Sequence, residues 1–264
     1  MSENTYDDDI HGDIHGEGES SPDAVSLIGE ASTVIPGHFG DPVRISHALR
    51  SNRNAQANPA KPLFLLLHGW GSNERDLADL MQYIAPFNDY IGLRAPLDMP
   101  SQFGQGGYTW FHDCVPTGAS LDRDAYAASL AIDSWVDENI DSNREIVPLG
   151  FSQGGVLAVH LLRVHPERYR AAISLSGFLA PKVVADAAPA DERLAALEVP
   201  VFYGYGKADN IIPKYEIYGM AAWLEEHTWL KSCGYPGLDH AVSLDEFNDI
   251  RQWLSDNNIA SGVM

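Results

Sequence analysis

Cysteine is nearly missing from this chain. Its 264 residues hold two, Cys114 and Cys233, far apart in sequence. That excludes a disulfide framework and a CxxC pair, and it suits a reducing compartment, so a cytoplasmic location is expected. Basic residues are scarce as well. Seventeen Lys and Arg stand against 37 Asp and Glu, a formal net charge of −20, and no basic residue precedes Arg44. Nucleic acid and anionic membrane surfaces are bound by clustered Lys and Arg, so no nucleic-acid partner is expected. Membrane-length apolar runs are absent too. The segment "LFLLL" (Leu63–Leu67) is of strand length, against the roughly 20 residues that span a bilayer, so no stable membrane insertion is expected. The N-terminus has neither a basic n-region nor an apolar h-region, so no signal peptide is expected.

About 45% of the residues are apolar, enough for one sizeable core. Residues 1–27 are acidic and polar, contain Gly and Ser, and show no apolar period; they read as a disordered tail ahead of a single domain over residues 28–264. Within the tail, "IHGDIHG" puts His11 and His15 beside Asp9 and Asp13. A flexible polar tail accounts for it, and no metal site is expected.

Beyond the tail, strand and helix signals alternate. "STVIP" and "VRISHAL" read as strands joined through "GHFGDP", and "QANPAKP" as a loop. "LFLLLH" reads as a buried strand, "NERDLADLMQYI" as an amphipathic helix capped by Asn73, and "YIGLRAP" as a strand. A Gly/Pro-rich loop over about 97–120 precedes the helix "RDAYAASLAIDSWVDENI". Then come strand "EIVPLGF", helix "GGVLAVHLLRVH", strands "AAISLSG" and "VPVFYGYG", helix "KYEIYGMAAWLEEH", strand "WLKSCGYP" and helix "LDEFNDIRQWLSDN". This alternation predicts an α/β fold with a mostly parallel central sheet and helices on both faces. Ligands of such sheets bind at the carboxyl ends of strands, so the loops there are where chemistry is expected.

One of those loops is "GFSQG", Gly150–Gly154, between a strand and a helix. It fits G-x-S-x-G, a tight turn that exposes a serine above the sheet next to a helix N-terminus. Ser152 is therefore the candidate nucleophile. A serine needs a base, and the base an orienting acid. In an α/β-hydrolase both follow the serine, in the order acid then His. Of the histidines after Ser152, His160 and His165 belong to the apolar helix and His227 ends an amphipathic one. His240, in "GLDHAV", lies in a loop after a strand and is the candidate base. Asp209 follows the preceding strand and is the candidate acid; Asp191 and Glu192 belong to a polar insertion, and Asp239 adjoins His240. The oxyanion donors expected are the backbone N–H of Gln153, after the nucleophile, and that of Trp70 in "LHGWGSN". His68 precedes the serine and is expected to be a hydrogen-bonded structural residue.

The segments "LLLHGWGSNERDL", "RAPLDMPSQFGQGGYTWFHD", "GFSQGG", "GKADNIIP" and "GLDHAV" together resemble the phospholipase/carboxylesterase family of α/β-hydrolases, which includes acyl-protein thioesterases. The resemblance spans about residues 60–255. It implies an α/β-hydrolase fold, the triad Ser152, Asp209 and His240, and the oxyanion donors Trp70 and Gln153. It also brings in a homodimer as one assembly state. The chain departs from the family where Tyr205 replaces the usual His and Asn210 a frequent Pro. It also reads Trp110-Phe111-His112-Asp113, one residue longer than usual.

The activity expected is carboxylesterase cleavage of small soluble esters through an acyl-enzyme, with no cofactor. Trp110, Phe111, Phe151, Phe178 and Leu179 are expected to line the substrate pocket with Trp70, and residues 180–198 to pack as a short helix near its mouth. A thioesterase or lysophospholipase with the same triad is the alternative. A non-catalytic binding module is the reading from another class.

Overall fold

The structure, a computed structural model, describes residues 25–28, 35–36, 42–51, 61–99, 106–112 and 117–259. The "IHGDIHG" repeat, most of the expected tail, the "GHFGDP" turn up to Asp41, most of the "QANPAKP" loop, Asp113 and Cys114 lie outside these residues.

In chain order the elements are β1 (Val25–Ile28), β2 (Ile35–Pro36), β3 (Pro42–Val43), β4 (His47–Arg50), β5 (Leu63–Leu67), α1 (Met81–Ile84), β6 (Tyr90–Leu93), β7 (Leu97–Asp98), β8 (Tyr108–Thr109), α2 (Gly118–Asn139), β9 (Ile146–Phe151), α3 (Gln153–Val164), β10 (Ala172–Leu175), α4 (Asp191–Leu197), β11 (Pro200–Gly206), α5 (Lys214–His227), β12 (Trp229–Tyr235) and α6 (Leu244–Asp256). The boundary placed between residues 27 and 28 falls inside β1.

The main sheet runs β1-β4-β6-β5-β9-β10-β11-β12. From β6 to β12 every neighbouring pair is parallel, and β4 is antiparallel to both its neighbours. The sequence "LFLLL" shows why the sheet sits in the middle. All five residues of β5 are buried, and successive side chains of a strand point to opposite faces. Leu63, Leu65 and Leu67 enter the core under α2, α3 and α5. Phe64 and Leu66 enter the one under α1 and α6. A strand covered on both faces has no polar alternation, which is why it reads as a continuous apolar run.

Three expectations are corrected. "NERDLADLMQYI" is not one helix: it turns through a single 3-10 turn, Ala78–Leu80, into the four-residue α1. Glu74 is drawn inward to a two-bonded pair with Arg94 at 2.7 Å. Asn73 Oδ1 accepts the N–H of Arg75, closing a turn instead of capping a helix. The loop over 97–120 contains the β7–β8 hairpin and the first turn of α2. "VRISHAL" is interrupted between β3 and β4.

Candidate active site

The carboxyl ends of β5, β9, β11 and β12 carry the residues of interest. At the end of β9, Ser152 has φ 55° and ψ −116°, a region that non-glycine residues avoid and that marks functional strain. The flanking glycines permit the turn. A Cβ on Gly150 would meet the carbonyl oxygen of Gly154 at 1.9 Å, and one on Gly154 the carbonyl oxygen of Leu67 at 1.8 Å. Ser152 N–H donates to Leu175 O at 2.9 Å, which ties the turn to β10. Gln153 opens α3, so its N–H belongs to the unpaired first turn of a helix.

His240 and Asp209 meet from two different loops. His240 Nδ1 lies 2.8 Å from Asp209 Oδ2. The other carboxylate oxygen, Oδ1, accepts the N–H groups of Ile211 and Ile212 at 2.8 and 2.9 Å. Asp209 is thus buried and aimed by its own loop, with one oxygen left for the imidazole. The His240 ring packs on Phe151, 4.9 Å between centroids. Asp239 is turned away: its oxygens accept Asn210 N–H and Asn210 Nδ2, both at 3.1 Å. Asn210 therefore uses a backbone N–H that proline lacks. Tyr205 packs its ring against Tyr203 and Tyr218.

On the β5 side, His68 is buried. Its Nδ1–H donates to Gly69 O at 2.7 Å, and its Nε2 accepts Ala95 N–H at 3.0 Å. Burial lowers its pKa to about 4, with the Gly69 bond working the other way. The ring is a neutral strut under the loop that carries Trp70.

Ser152, His240, Trp70, Gln153, Phe151, Phe178 and Leu179 all line one cavity of about 600 Å³, within the usual size of small-molecule sites, about 300–1,000 Å³. Trp110 and Phe111 do not. The β7–β8 hairpin turns both inward, at 1% and 0% exposure. Trp110 Nε1 donates to His68 O at 2.8 Å, and Trp110 N–H donates to Gln153 Oε1 at 3.2 Å. They form the backing of the site, not its surface. His112 sits beside α2, where its N–H and Nδ1 both meet the Asp124 carboxylate at 2.9 Å.

The sequence reading missed Leu121, Ile211, Tyr215 and Glu216, which also line the cavity. Ile211 sits two residues past Asp209, and the rule that singled out the loop after β11 extends to it. Burial raises the pKa of Glu216. Among the described residues no group of three or more His, Cys, Asp or Glu could hold a metal ion. No described helix is long and apolar enough to cross a membrane.

Residues 53–258 match the phospholipase/carboxylesterase family. An acyl-protein thioesterase 1 of Kluyveromyces lactis is 30% identical over 218 residues, covering 76% of this chain and 94% of its own. A probable carboxylesterase of Oryza sativa subsp. japonica is 29% identical over 210 residues, covering 73% and 86%. A solved carboxylesterase from Mesorhizobium loti is similar in structure with a TM-score of 0.63 at 20% identity, covering 81% of this chain and 98% of that one.

Proposed function

Because the chain belongs to the phospholipase/carboxylesterase family and is a hydrolase of the α/β-hydrolase fold, we propose that it is a serine carboxylesterase for small soluble esters of short or medium acyl chains or aromatic acids. The observation that carries the reading is the Asp209–His240 pair at 2.8 Å, whose His240 lines the same cavity as Ser152 on its strained turn.

Ser152 Oγ attacks the ester carbonyl carbon while His240 Nε2 takes the hydroxyl proton. The negative oxygen of the tetrahedral adduct is held by the N–H groups of Gln153 and Trp70. The adduct collapses, the C–O bond to the alcohol breaks, and His240 returns the proton to the leaving alkoxide. Water, deprotonated by His240, then attacks the acyl-enzyme; the acid leaves and Ser152 regains its proton. Asp209 fixes the imidazole tautomer with the proton on Nδ1 and stabilises the imidazolium.

A fluorophosphonate probe tests the reading. It should label the native chain at Ser152 and leave Ser152→Ala unlabelled and inactive on p-nitrophenyl butyrate. An unlabelled native chain, or a Ser152→Ala variant of near-native rate, would refute it. The likeness to an acyl-protein thioesterase supports a second reading, thioester cleavage at the same serine. Matched butyryl esters and thioesters separate the two by kcat/KM.

A further inference from the structure

Phe178, Leu179 and Pro181 form one wall of the cavity, and residues 182–186 that follow them bury no apolar side chain fully. Pro181, Lys182 and Val183 are exposed, and Lys182 stands at φ 60°, a left-handed backbone that L-residues adopt at a cost. A segment so composed would be expected to move. Instead it is pinned by two buried ionic side chains from the helices behind it.

The first is Asp122 in α2, fully buried. Its Oδ1 accepts Lys182 N–H and its Oδ2 accepts Val184 N–H, each at 2.8 Å. The second is Arg163 in α3, 1% exposed. Its Nη1 donates to Ala180 O at 2.6 Å. Its Nε and Nη2 grip Asp191 at 2.8 and 2.9 Å, a bidentate fork that lysine cannot reproduce. Lys182 Nζ adds a third contact to Asp191 at 3.2 Å. On its other side, the Arg163 guanidinium lies over Trp223 of α5, 4.7 Å from the ring centroid. The first turn of α5 supplies Tyr215 and Glu216 to the cavity. Arg163 thus braces two separate cavity walls from the helix that begins beside Ser152. Neighbouring Leu121 joins the lining directly.

We propose that Asp122 and Arg163 are specificity-determining positioning residues: they fix residues 178–184 as a rigid wall of the acyl cavity, so that wall, not a moving lid, limits acyl-chain length. This rests on the ester-hydrolase reading above. Buried charges of this kind exclude alternatives strongly, because shifting the wall takes both N–H partners from Asp122 and the Ala180 carbonyl from Arg163.

The test is the ratio of kcat/KM for p-nitrophenyl decanoate to that for the butyrate in the native chain, Asp122→Asn and Arg163→Lys. The variants should raise the ratio about tenfold, the discrimination that the fit of a methylene or so supplies in an apolar pocket. Amide hydrogen exchange over 180–191 should quicken in both. A merely structural role lowers both substrates together and leaves the ratio where it was. Lys182→Met serves as a surface variant that removes the Asp191 contact and spares the core; it should move the ratio the same way by less. An unchanged ratio in variants that are folded by circular dichroism overturns the proposal, whether or not exchange quickens. Fluorophosphonate labelling keeps the two failures apart. A labelled native chain with an unchanged ratio sinks this inference alone, and an unlabelled one sinks the ester reading and this with it.

Discussion

Replacing Glu246 by Gln should change stability in a way that depends on pH, by an amount the structure sets. Glu246 is 1% exposed in the first turn of α6. Its Oε2 accepts Ser243 N–H at 3.3 Å, while Ser243 Oγ accepts Glu246 N–H at 3.2 Å, a capping box. The rest of the carboxyl lies against β11, so close that a Cβ on Gly204 would meet Oε1 at 2.0 Å. Burial raises its pKa from 4.5 to about 7; the Ser243 bond opposes this and Asp249 adds to it. A carboxyl whose folded pKa is raised gives its full contribution below the unfolded value, and loses it as pH climbs through the folded one. At about 1.4 kcal/mol per pH unit, integrating from pH 5 to pH 8 gives a native-chain loss of about 2.5 kcal/mol. Gln keeps the acceptor for Ser243 and has no charge to bury. Urea unfolding at both pH values measures the effect. Glu246→Gln should gain about 2.5 kcal/mol on the native chain between pH 5 and pH 8. His68 and His160, whose pKa values burial lowers to about 4 and about 3, titrate alike in both proteins and drop out of the difference. A difference that stays within about 1 kcal/mol across the range, less than one pH unit of linkage, would refute the buried-carboxyl reasoning.

Two further outcomes are expected. Asp209→Asn should reduce turnover by up to about 10⁴-fold, through the wrong tautomer on His240, and Asp239→Asn far less, because Asp239 is engaged by Asn210; the reverse order in an ester assay would misassign the acid. Gly154→Ala should lose at least about 2 kcal/mol in urea unfolding from the clash with β5, whereas Gly219→Ala in α5, with open space around it, should gain about 0.5–1 kcal/mol; equal effects would mean that the turn tolerates a Cβ.

The central parallel strands were legible because burial on both faces writes itself as short apolar runs, and the candidates Ser152 and Asp209 each follow such a run; His240 follows the edge strand β12, none of whose residues is fully buried, and was singled out by its place in a loop alone. Where side chains reach across the chain, the sequence misled. Glu74 looked like a helix residue until its partner Arg94, 20 residues on, drew it inward. Trp110 and Phe111 looked like pocket residues because they sit in a loop, and only the partners of Trp110, His68 and Gln153, reveal that they face the core. The anchoring of the 180–191 segment was hidden for the same reason. Asp122 and Arg163 sit in helices whose apolar period says nothing about a buried charge, and their partners are 60 and 28 residues away.

The order of strands in the sheet also governs when in its life the molecule acquires a site. Ser152, Asp209 and His240 hang from β9, β11 and β12, and β9 is itself flanked by β5 from far earlier in the chain. Parallel neighbours cannot be joined by a hairpin; each pairing closes a long loop before any contact repays the lost chain entropy. Folding of such a topology is slow. No local fragment holds the serine, the imidazole and the carboxylate together, so under the proposed mechanism a nascent or partly folded chain has no activated hydroxyl, and hydrolytic competence arrives only once the sheet from β9 to β12 has formed.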